Sequence, residues 1–250
     1  MFIWCSLMPD ETPEILLVTP VWNDSKRLGV FGIPLAETLA AAEFPIRWVI
    51  ADDGSSDEDR EKLRGLRDSF AKIYPNVELH LAAMHHGKGS VIREAWELGP
   101  NADWLAFVDA DGAVSAEDML GLIRKAMESG QSVIGVRKRT ETTHIEESLW
   151  RGFFHRGFLL TADLLLDLRS ADIQCGAKVI KGSDYRVISR RLDEDGLAFD
   201  SELLSTLNWS GATWLEIPVN WVEKGGGKVK PLKHAWGMLR ALLRIRARDW

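Results

Sequence analysis

The sequence predicts an α/β fold with a mostly parallel central sheet flanked by helices. Short apolar runs alternate along the chain with longer stretches of helical spacing, which is typical of strand–helix–strand units. The runs are continuously apolar, as expected for strands covered by helices on both faces. Apolar residues make up 46% of the 250 positions, enough for one sizeable core. Ligands of such folds bind outside the carboxyl ends of the strands.

In the first half of the chain, predicted strands and helices alternate regularly. The first helix is placed at Pro34 because proline suits the first helical position and an Ala/Leu-rich stretch follows. The second helix has acids in its first turn and bases later, which matches the helix dipole. The predicted strands cover 14–20, 46–52, 77–83, 104–110 and 131–137, and the helices between them cover 34–44, 56–74, 89–98 and 115–130.

The pattern changes after Arg139. Apolar or small residues recur at helical spacing and predict a long helix over 147–168. A Gly-rich loop near the end is followed by a basic amphipathic helix from about Lys233. Between these two helices we predict a strand over 174–180, a helix over 198–211 and a strand over 213–221.

Composition narrows the classes of partner. The net charge of −6 argues against a nucleic-acid partner, although residues 224–248 carry eight Lys or Arg and no acid, which suggests a local anionic contact. Two cysteines form no disulfide framework and no metal spacing, so a reducing, cytoplasmic compartment is expected. The apolar runs are too short for a membrane span, and the first residues lack the basic segment of a signal peptide.

Two predicted strands end in pairs of carboxylates. In "VDADG", one carboxylate of Asp109 and Asp111 can bind Mg²⁺ or Mn²⁺, which would hold a diphosphate, while the other acts directly, through water or on a sugar. An isolated D-x-D is more often a solvated turn. This one follows a predicted strand and is expected beside a second acidic pair, which favours the metal site.

The second pair lies in "ADDGSSD". Asp52 or Asp53 can accept hydrogen bonds from a base or from ribose hydroxyls, as acids do in other nucleotide folds. Capping of the following helix by Ser55, Ser56 or Asp57 is a structural alternative that is compatible with this role.

These residues resemble a family. The chain from about Glu14 to Arg246 is similar to family 2 glycosyltransferases of the GT-A fold, most closely the dolichyl- or polyprenyl-phosphate branch. The motifs that carry the resemblance are "TPVWND", "ADDGSSD", "HHGKGSVIREAW", "VDADGA", "DIQCGAKVI", "FDSELL" and "IPVNWVEKGGGKVKP". Several motifs in the family's order are more specific than any one of them.

The resemblance implies a role for each matching residue. Lys88 borders the donor site, and Asp109 and Asp111 hold the metal and the diphosphate. Asp24 and His85 replace the family's glutamate and asparagine, which leaves the base open, and Ala113 replaces a glutamine, which puts a third protein ligand in doubt. The residues implied for the nucleoside pocket are Pro20, Asn23, Asp24, Asp52 and Asp53.

The implied reaction moves a sugar, with inversion, from a UDP- or GDP-linked donor to a lipid phosphate. An anionic phosphate needs little base catalysis, and arginine suits bidentate contact with it. Arg137 matches a family arginine, and Arg151 and Lys228 are weaker candidates for the same contact. A neutral hydroxyl acceptor would need a base, for which Asp200 is the best candidate and Asp172 the second.

One domain is expected, with a donor half over about 14–139, an acceptor half over about 140–232 and the basic helix over 233–250. On that helix Trp236, Leu239 and Leu243 form an apolar stripe. The helix either lies at an anionic membrane surface or packs on the body. Its basic side consists of Lys233, Arg240, Arg244 and Arg248. The alternatives are a soluble family 2 enzyme with a small or glycan acceptor and a nucleotide-sugar-binding protein without turnover.

Overall fold

The computed structural model describes residues 13–146, 149–168, 170–225 and 231–248, and describes side chains outside 149–156 and 231–235. The strands are β1 Ile15–Val21, β2 Arg47–Asp52, β3 Val77–Leu81, β4 Trp104–Val108, β5 Ser132–Val136, β6 Ile145–Glu146, β7 Ala177–Lys181, β8 Trp214–Pro218 and β9 Trp221–Val222. The helices are α1 Ser25–Ala40, α2 Asp57–Ala71, α3 Lys88–Trp96, α4 Ala116–Ser129, α5 Leu149–Leu166, α6 Gly182–Ile188, α7 Phe199–Trp209 and α8 Pro231–Arg246.

A mixed sheet runs through the molecule in the order β3-β2-β1-β4-β7-β5-β8. Every neighbouring pair is parallel except those of β7, which is antiparallel to both β4 and β5. The mostly parallel sheet predicted from the sequence is therefore confirmed. Strands β6 and β9 form a separate two-stranded parallel ribbon.

Both faces of the sheet are buried, which explains the continuously apolar strands. In β1, Ile15 and Leu17 face one core, and Leu16 and Val18 face the other. The first core includes residues of α1, α2 and α4, and the second includes residues of α3 and α5–α8. The successive side chains of a strand point to opposite faces, so a strand between two helical layers has no polar face.

The first helix begins earlier than the sequence predicts. Helix α1 starts at Ser25, and Pro34 lies inside it rather than at its first position. A Cβ at Gly32 would overlap the Phe70 ring of α2. The glycine thus permits close packing of α1 on α2, and tertiary contact overrides its low helix propensity.

Three further features differ from the prediction. Residues 182–188 form α6, which the sequence pattern did not indicate, and a 3-10 turn follows at Ser189–Arg191. The predicted strand 213–221 is divided, because β8 ends at Pro218 and the chain rejoins a strand only at Trp221. The Val219 amide still donates to the Val136 carbonyl at 3.1 Å, and the chain then leaves β5.

Helix α8 packs on the body through a face other than the predicted apolar stripe. Leu242 and Ile245 are buried, whereas Trp236 and Leu243 are 61% and 49% exposed. Of the helices that the structure describes, none is long and apolar enough to span a bilayer.

The basic side of α8 is also divided. Arg244 Nη2 lies 2.8 Å from Glu194 Oε2, and Arg248 pairs with the buried Glu202. Two of the four predicted bases therefore contact the body. Arg240 is exposed, and the side chain of Lys233 lies outside the described residues.

Candidate active site

The candidate site lies along one edge of the sheet. The carboxyl ends of β1, β2, β4 and β5 meet there because these strands run in the same direction. Strand β7 runs the other way, so the loop before it, rather than the loop after it, reaches this edge. Sequence reasoning singled out this segment through the motif "DIQCGAKVI" but did not predict that its strand is antiparallel.

Asp109 lies in a line of alternating charges at the end of β4. Lys88 Nζ, at the first turn of α3, lies 2.9 Å from Asp109 Oδ1 and 3.2 Å from Asp200 Oδ2 of α7. Lys178 Nζ of β7 lies 2.6 Å from Asp200 Oδ1. Three residues from separate predicted motifs thus meet, joined by Lys178, which the sequence did not single out.

Lys88 and Asp200 favour each other's ionised state, whereas burial opposes the charge of Asp109. Burial alone would lower the pKa of Lys88, but the carboxylates of Asp109 and Asp200 outweigh it and raise the pKa. Burial alone would raise the pKa of Asp200, but Lys178 and Lys88 bring it below its ordinary value. Burial raises the pKa of Asp109, which the charge of Lys88 opposes.

The geometry favours a positioning role for Asp200 over general-base catalysis. Each of its carboxylate oxygens accepts a hydrogen bond from a lysine, and the residue is 3% exposed. A carboxylate with a lowered pKa is a weak base. The role of Asp200 as a base for a hydroxyl acceptor stays a prediction.

Asp111 is held by a residue that the sequence reasoning missed. Arg27 Nη1 of α1 lies 3.2 Å from Asp111 Oδ2, and Arg27 Nε donates to Asp24 Oδ2 at 2.7 Å. The other oxygen of Asp111 accepts the Ala113 amide at 3.0 Å. The i, i+3 spacing of Asp24 and Arg27 indicates their own ion pair, but no local pattern indicates the contact with Asp111.

The loop before β7 packs directly on the D-x-D motif. The amide of Asp109 donates to the Gly176 carbonyl at 2.8 Å, and a Cβ at position 176 would overlap the Asp109 carboxylate. Only glycine allows this approach. The same loop begins at Asp172, which binds Arg137, so it connects the Asp109 and Arg137 parts of the site.

Asp52 lies beneath the surface of the site. It is fully buried, and its carboxylate accepts from Arg60 Nε at 3.0 Å and from the Ser55 amide at 3.2 Å. This burial favours a supporting role over the direct nucleoside contact that the resemblance implied. The predicted cap is also present, since Ser56 Oγ accepts the Asp59 amide at 3.3 Å.

Asn23 and Pro20 lie at the end of β1 beside this loop, and both are partly exposed. The Asn23 amide donates to Ser55 Oγ at 2.7 Å, and its side-chain oxygen accepts the Ser56 amide at 2.8 Å. Asn23 therefore ties the β1–α1 turn to the start of α2.

Asp53 organises the segment that follows β3. Its Oδ1 accepts the amides of His86 and Gly87 at 2.9 and 3.1 Å, and its Oδ2 lies 2.7 Å from His85 Nδ1. The His85 ring stacks on Trp22, with centroids 4.0 Å apart and planes 11° apart. Both rings are exposed at the edge. Asp53 thus fixes an exposed imidazole where the nucleoside pocket is expected.

Arg137 forms a bidentate ion pair at the end of β5. Its Nε and Nη2 lie 2.6 and 2.9 Å from the two oxygens of Asp172, and its guanidinium lies 5.2 Å from the Trp221 ring centroid. The Arg137 side chain is 9% exposed and that of Asp172 is 1% exposed. The pair makes Asp172 a partner of Arg137 and disfavours it as a base. Lys228 and the side chain of Arg151 lie outside the described residues.

The donor atoms fit a hard divalent cation. Asp109 and Asp111 supply carboxylate oxygens at a strand end, the ligands that Mg²⁺ and Mn²⁺ prefer. In the part of the chain that the structure describes, no cluster of three His, Cys, Asp or Glu could hold a metal by itself. A cation here would therefore take its remaining ligands from water and from a diphosphate.

The chain is similar in sequence to known proteins. A sequence model described as "Glycosyl transferase family 2" matches residues 18–195. A dolichyl-phosphate beta-glucosyltransferase of Trichomonas vaginalis is 27% identical over 247 residues, which cover 94% of this chain and 74% of that protein.

Two solved structures are similar in fold. The glucosyl-3-phosphoglycerate synthase of Mycobacterium tuberculosis, solved with Mn²⁺, UDP and glucosyl-3-phosphoglycerate, has a TM-score of 0.64 at 14% identity and matches 95% of this chain and 81% of its own. The mannosyltransferase PcManGT of Pyrobaculum calidifontis, solved with GDP-Man and Mn²⁺, has a TM-score of 0.62 at 12% identity and matches 97% and 66%. They confirm the GT-A fold.

Proposed function

The chain belongs to glycosyl transferase family 2, and we propose that it transfers a sugar from a UDP- or GDP-linked donor to a polyprenyl-phosphate acceptor, with inversion. The observation that carries the proposal is the pairing of each D-x-D carboxylate with a cation, Lys88 on Asp109 and Arg27 on Asp111. This mixture of acids and bases suits a metal-bound diphosphate, whose negative charge needs cations on more than one side.

The acceptor is inferred from the relatives. The curated relative named above is a dolichyl-phosphate glucosyltransferase that aligns with nearly the whole chain. In the proposed step, an oxygen of the acceptor phosphate attacks the anomeric carbon, the bond from that carbon to the diphosphate breaks, and the nucleoside diphosphate leaves. The acceptor oxygen is already anionic, so no base is required.

The residues divide between donor and acceptor. We assign Asp109 and Asp111 to a divalent cation, Mg²⁺ or Mn²⁺, which would supply charge for the diphosphate. Lys88 borders the diphosphate, and Asp53 supports the nucleoside pocket through His85. The acceptor phosphate is assigned to Arg137, whose pair with Asp172 fixes the guanidinium plane, and to Arg151 and Lys228.

A lipid acceptor requires contact with a membrane surface. Helices α5 and α8 pack on each other and carry exposed apolar side chains. Leu160 and Leu164 of α5 are 72% and 86% exposed, and Trp236 and Leu243 lie on α8. Arg240 and Arg246 are exposed bases on α8. We propose that this two-helix surface rests on an anionic bilayer, where each nearby base contributes about 1 kcal/mol.

The test is a transfer assay with two variables. Each of several UDP- and GDP-sugars, with Mn²⁺, is offered to the purified chain together with either a polyprenyl phosphate or the matching polyprenol. We expect a lipid-linked sugar only with the phosphate. Product on the polyprenol or on a soluble acceptor would show that the acceptor is a hydroxyl group. The reaction would then require a general base. Donor binding without any product would support a binding protein.

A further inference from the structure

A lysine with no solvent exposure lies behind the candidate site. Lys178, the second residue of β7, is 0% exposed, and its Nζ donates to Asp200 Oδ1 at 2.6 Å and to the Cys175 carbonyl at 2.8 Å. The Phe107 ring lies 5.4 Å from the same ammonium. A buried charge costs several kcal/mol of desolvation, so it is retained only where it is paired.

Stability does not explain this charge well. A buried ion pair is often no more stabilising than apolar residues of the same volume. The partner of Lys178, Asp200, is itself buried, so both charges of the pair have to be desolvated. Asp200 divides its two oxygens between Lys178 and Lys88, and Lys88 divides its ammonium between Asp200 and Asp109.

The line of contacts therefore ends at the D-x-D motif. It crosses four elements, since Lys178 lies on β7, Asp200 on α7, Lys88 on α3 and Asp109 at the end of β4. The two inner members, Asp200 and Lys88, each have an oppositely charged partner on both sides. If Lys178 were absent, Lys88 would be the one cationic partner left to Asp200 among the described residues, and the stronger pull of Asp200 would draw Lys88 away from Asp109.

We propose that Lys178 is a positioning residue, which by holding Asp200 keeps the Lys88 ammonium at Asp109, where it faces the donor diphosphate. This inference rests on the proposed function. The Lys88 ammonium is one of the charges that stabilises the departing diphosphate, so its displacement lowers turnover and diphosphate affinity while nucleoside affinity is unchanged.

The main test variant is Lys178→Met, which keeps the volume and removes the charge. We expect turnover to fall about 10–100-fold, the range typical of residues that orient a metal-site group. Calorimetry with the nucleoside diphosphate and with the free nucleoside supplies a second measurement that does not depend on turnover. Affinity for the diphosphate should fall, and affinity for the nucleoside should match the wild type.

The matched control is Lys181→Met, because Lys181 lies on the same strand and its Nζ contacts the Gly130 carbonyl at 3.1 Å, away from the site. The double variant K178M/D200N removes both buried charges. It allows the inference to be tested even if the single variant unfolds. It should bind the diphosphate better than Lys178→Met because no carboxylate draws Lys88 away. Its turnover should stay below that of the wild type because Lys88 has lost one anchor.

Wild-type turnover and diphosphate affinity in folded Lys178→Met, or wild-type turnover in the double variant, would overturn the inference. Equal losses of nucleoside and diphosphate affinity in Lys178→Met would also overturn it, since they indicate a structural role. These outcomes differ from failure of the proposed function, in which the wild-type chain itself neither binds a nucleotide-sugar nor transfers a sugar.

Discussion

Replacement of Asp53 by alanine should lower both the stability of the protein and its affinity for nucleoside. The carboxylate accepts the amides of His86 and Gly87 and pairs with His85 Nδ1. The variant leaves both amides without their acceptor. It also releases the imidazole that stacks on Trp22. Stability and binding thus depend on the two different oxygens of one side chain.

The magnitude follows from these contacts. A buried amide without a partner costs about 1–3 kcal/mol. The Gly87 bond is buried and the His86 bond is partly buried, so the sum should be about 2–4 kcal/mol. For a chain of this size each kcal/mol lowers the melting temperature by about 2–4 °C, which gives a decrease of about 5–15 °C.

Asp53→Asn separates the two effects. Its side-chain oxygen can still accept both amides, so the melting temperature should change little, whereas the charge that pairs with His85 is gone and nucleoside affinity should fall. Asp57→Ala is the control, because Asp57 is an exposed acid in the first turn of α2 and its loss costs only about 0.3–1 kcal/mol. Melting followed by circular dichroism and nucleoside titration by calorimetry measure both quantities. An Asp53→Ala protein that melts with the wild type would refute the reasoning.

Three further predictions follow from the site and its surroundings. Asp111→Ala should abolish metal-dependent binding of nucleoside diphosphate while the fold survives, and equal affinities with Mn²⁺ and with EDTA in the wild type would contradict the metal assignment. Arg137→Lys keeps the charge beside Asp172 but not the bidentate geometry, so turnover should fall far more than donor affinity, whereas equal losses would make Arg137 a donor residue. Trp236→Glu should reduce sedimentation with anionic liposomes at low salt, whereas Val30→Glu on the opposite helical layer should not, and a wild type that stays in the supernatant would remove the membrane-surface proposal.

The strand ends of the site could be predicted because parallel strands bring their carboxyl ends to one edge. This argument places Asp52, Asp53 and Asp109 without knowledge of strand order. The stripe of α8 was less predictable, because its many apolar residues allow more than one inward face. Contact with the second core selected Leu242 and Ile245, and this packing also makes deletion of the helix a poor test of membrane binding.

Two cations of the site, Arg27 and Lys178, could not be predicted in the same way, whereas Lys88 and Arg137 were identified through the family resemblance. Lys178 lies inside an apolar strand, and Arg27 lies between the predicted first strand and the predicted first helix. The contacts of these two residues depend on which strands are neighbours. Local propensity and periodicity do not predict strand order. Departures such as the position of α1 have the same origin, since Gly32 is explained only by Phe70 on another helix.

The reversed direction of β7 has a consequence for how the chain acquires its structure. Val108 of β4 pairs with Ala177 of β7, and residues 109–176 lie between them, including β5, which must join the far side of β7. Such distant pairings close large loops and form slowly. The nascent chain can assemble β1–β4 early, but β5 has no place beside β4 until β7 has been synthesised and inserted. The glycine that contacts Asp109 arrives with that same insertion, so the catalytic edge should be completed in the last stage of folding.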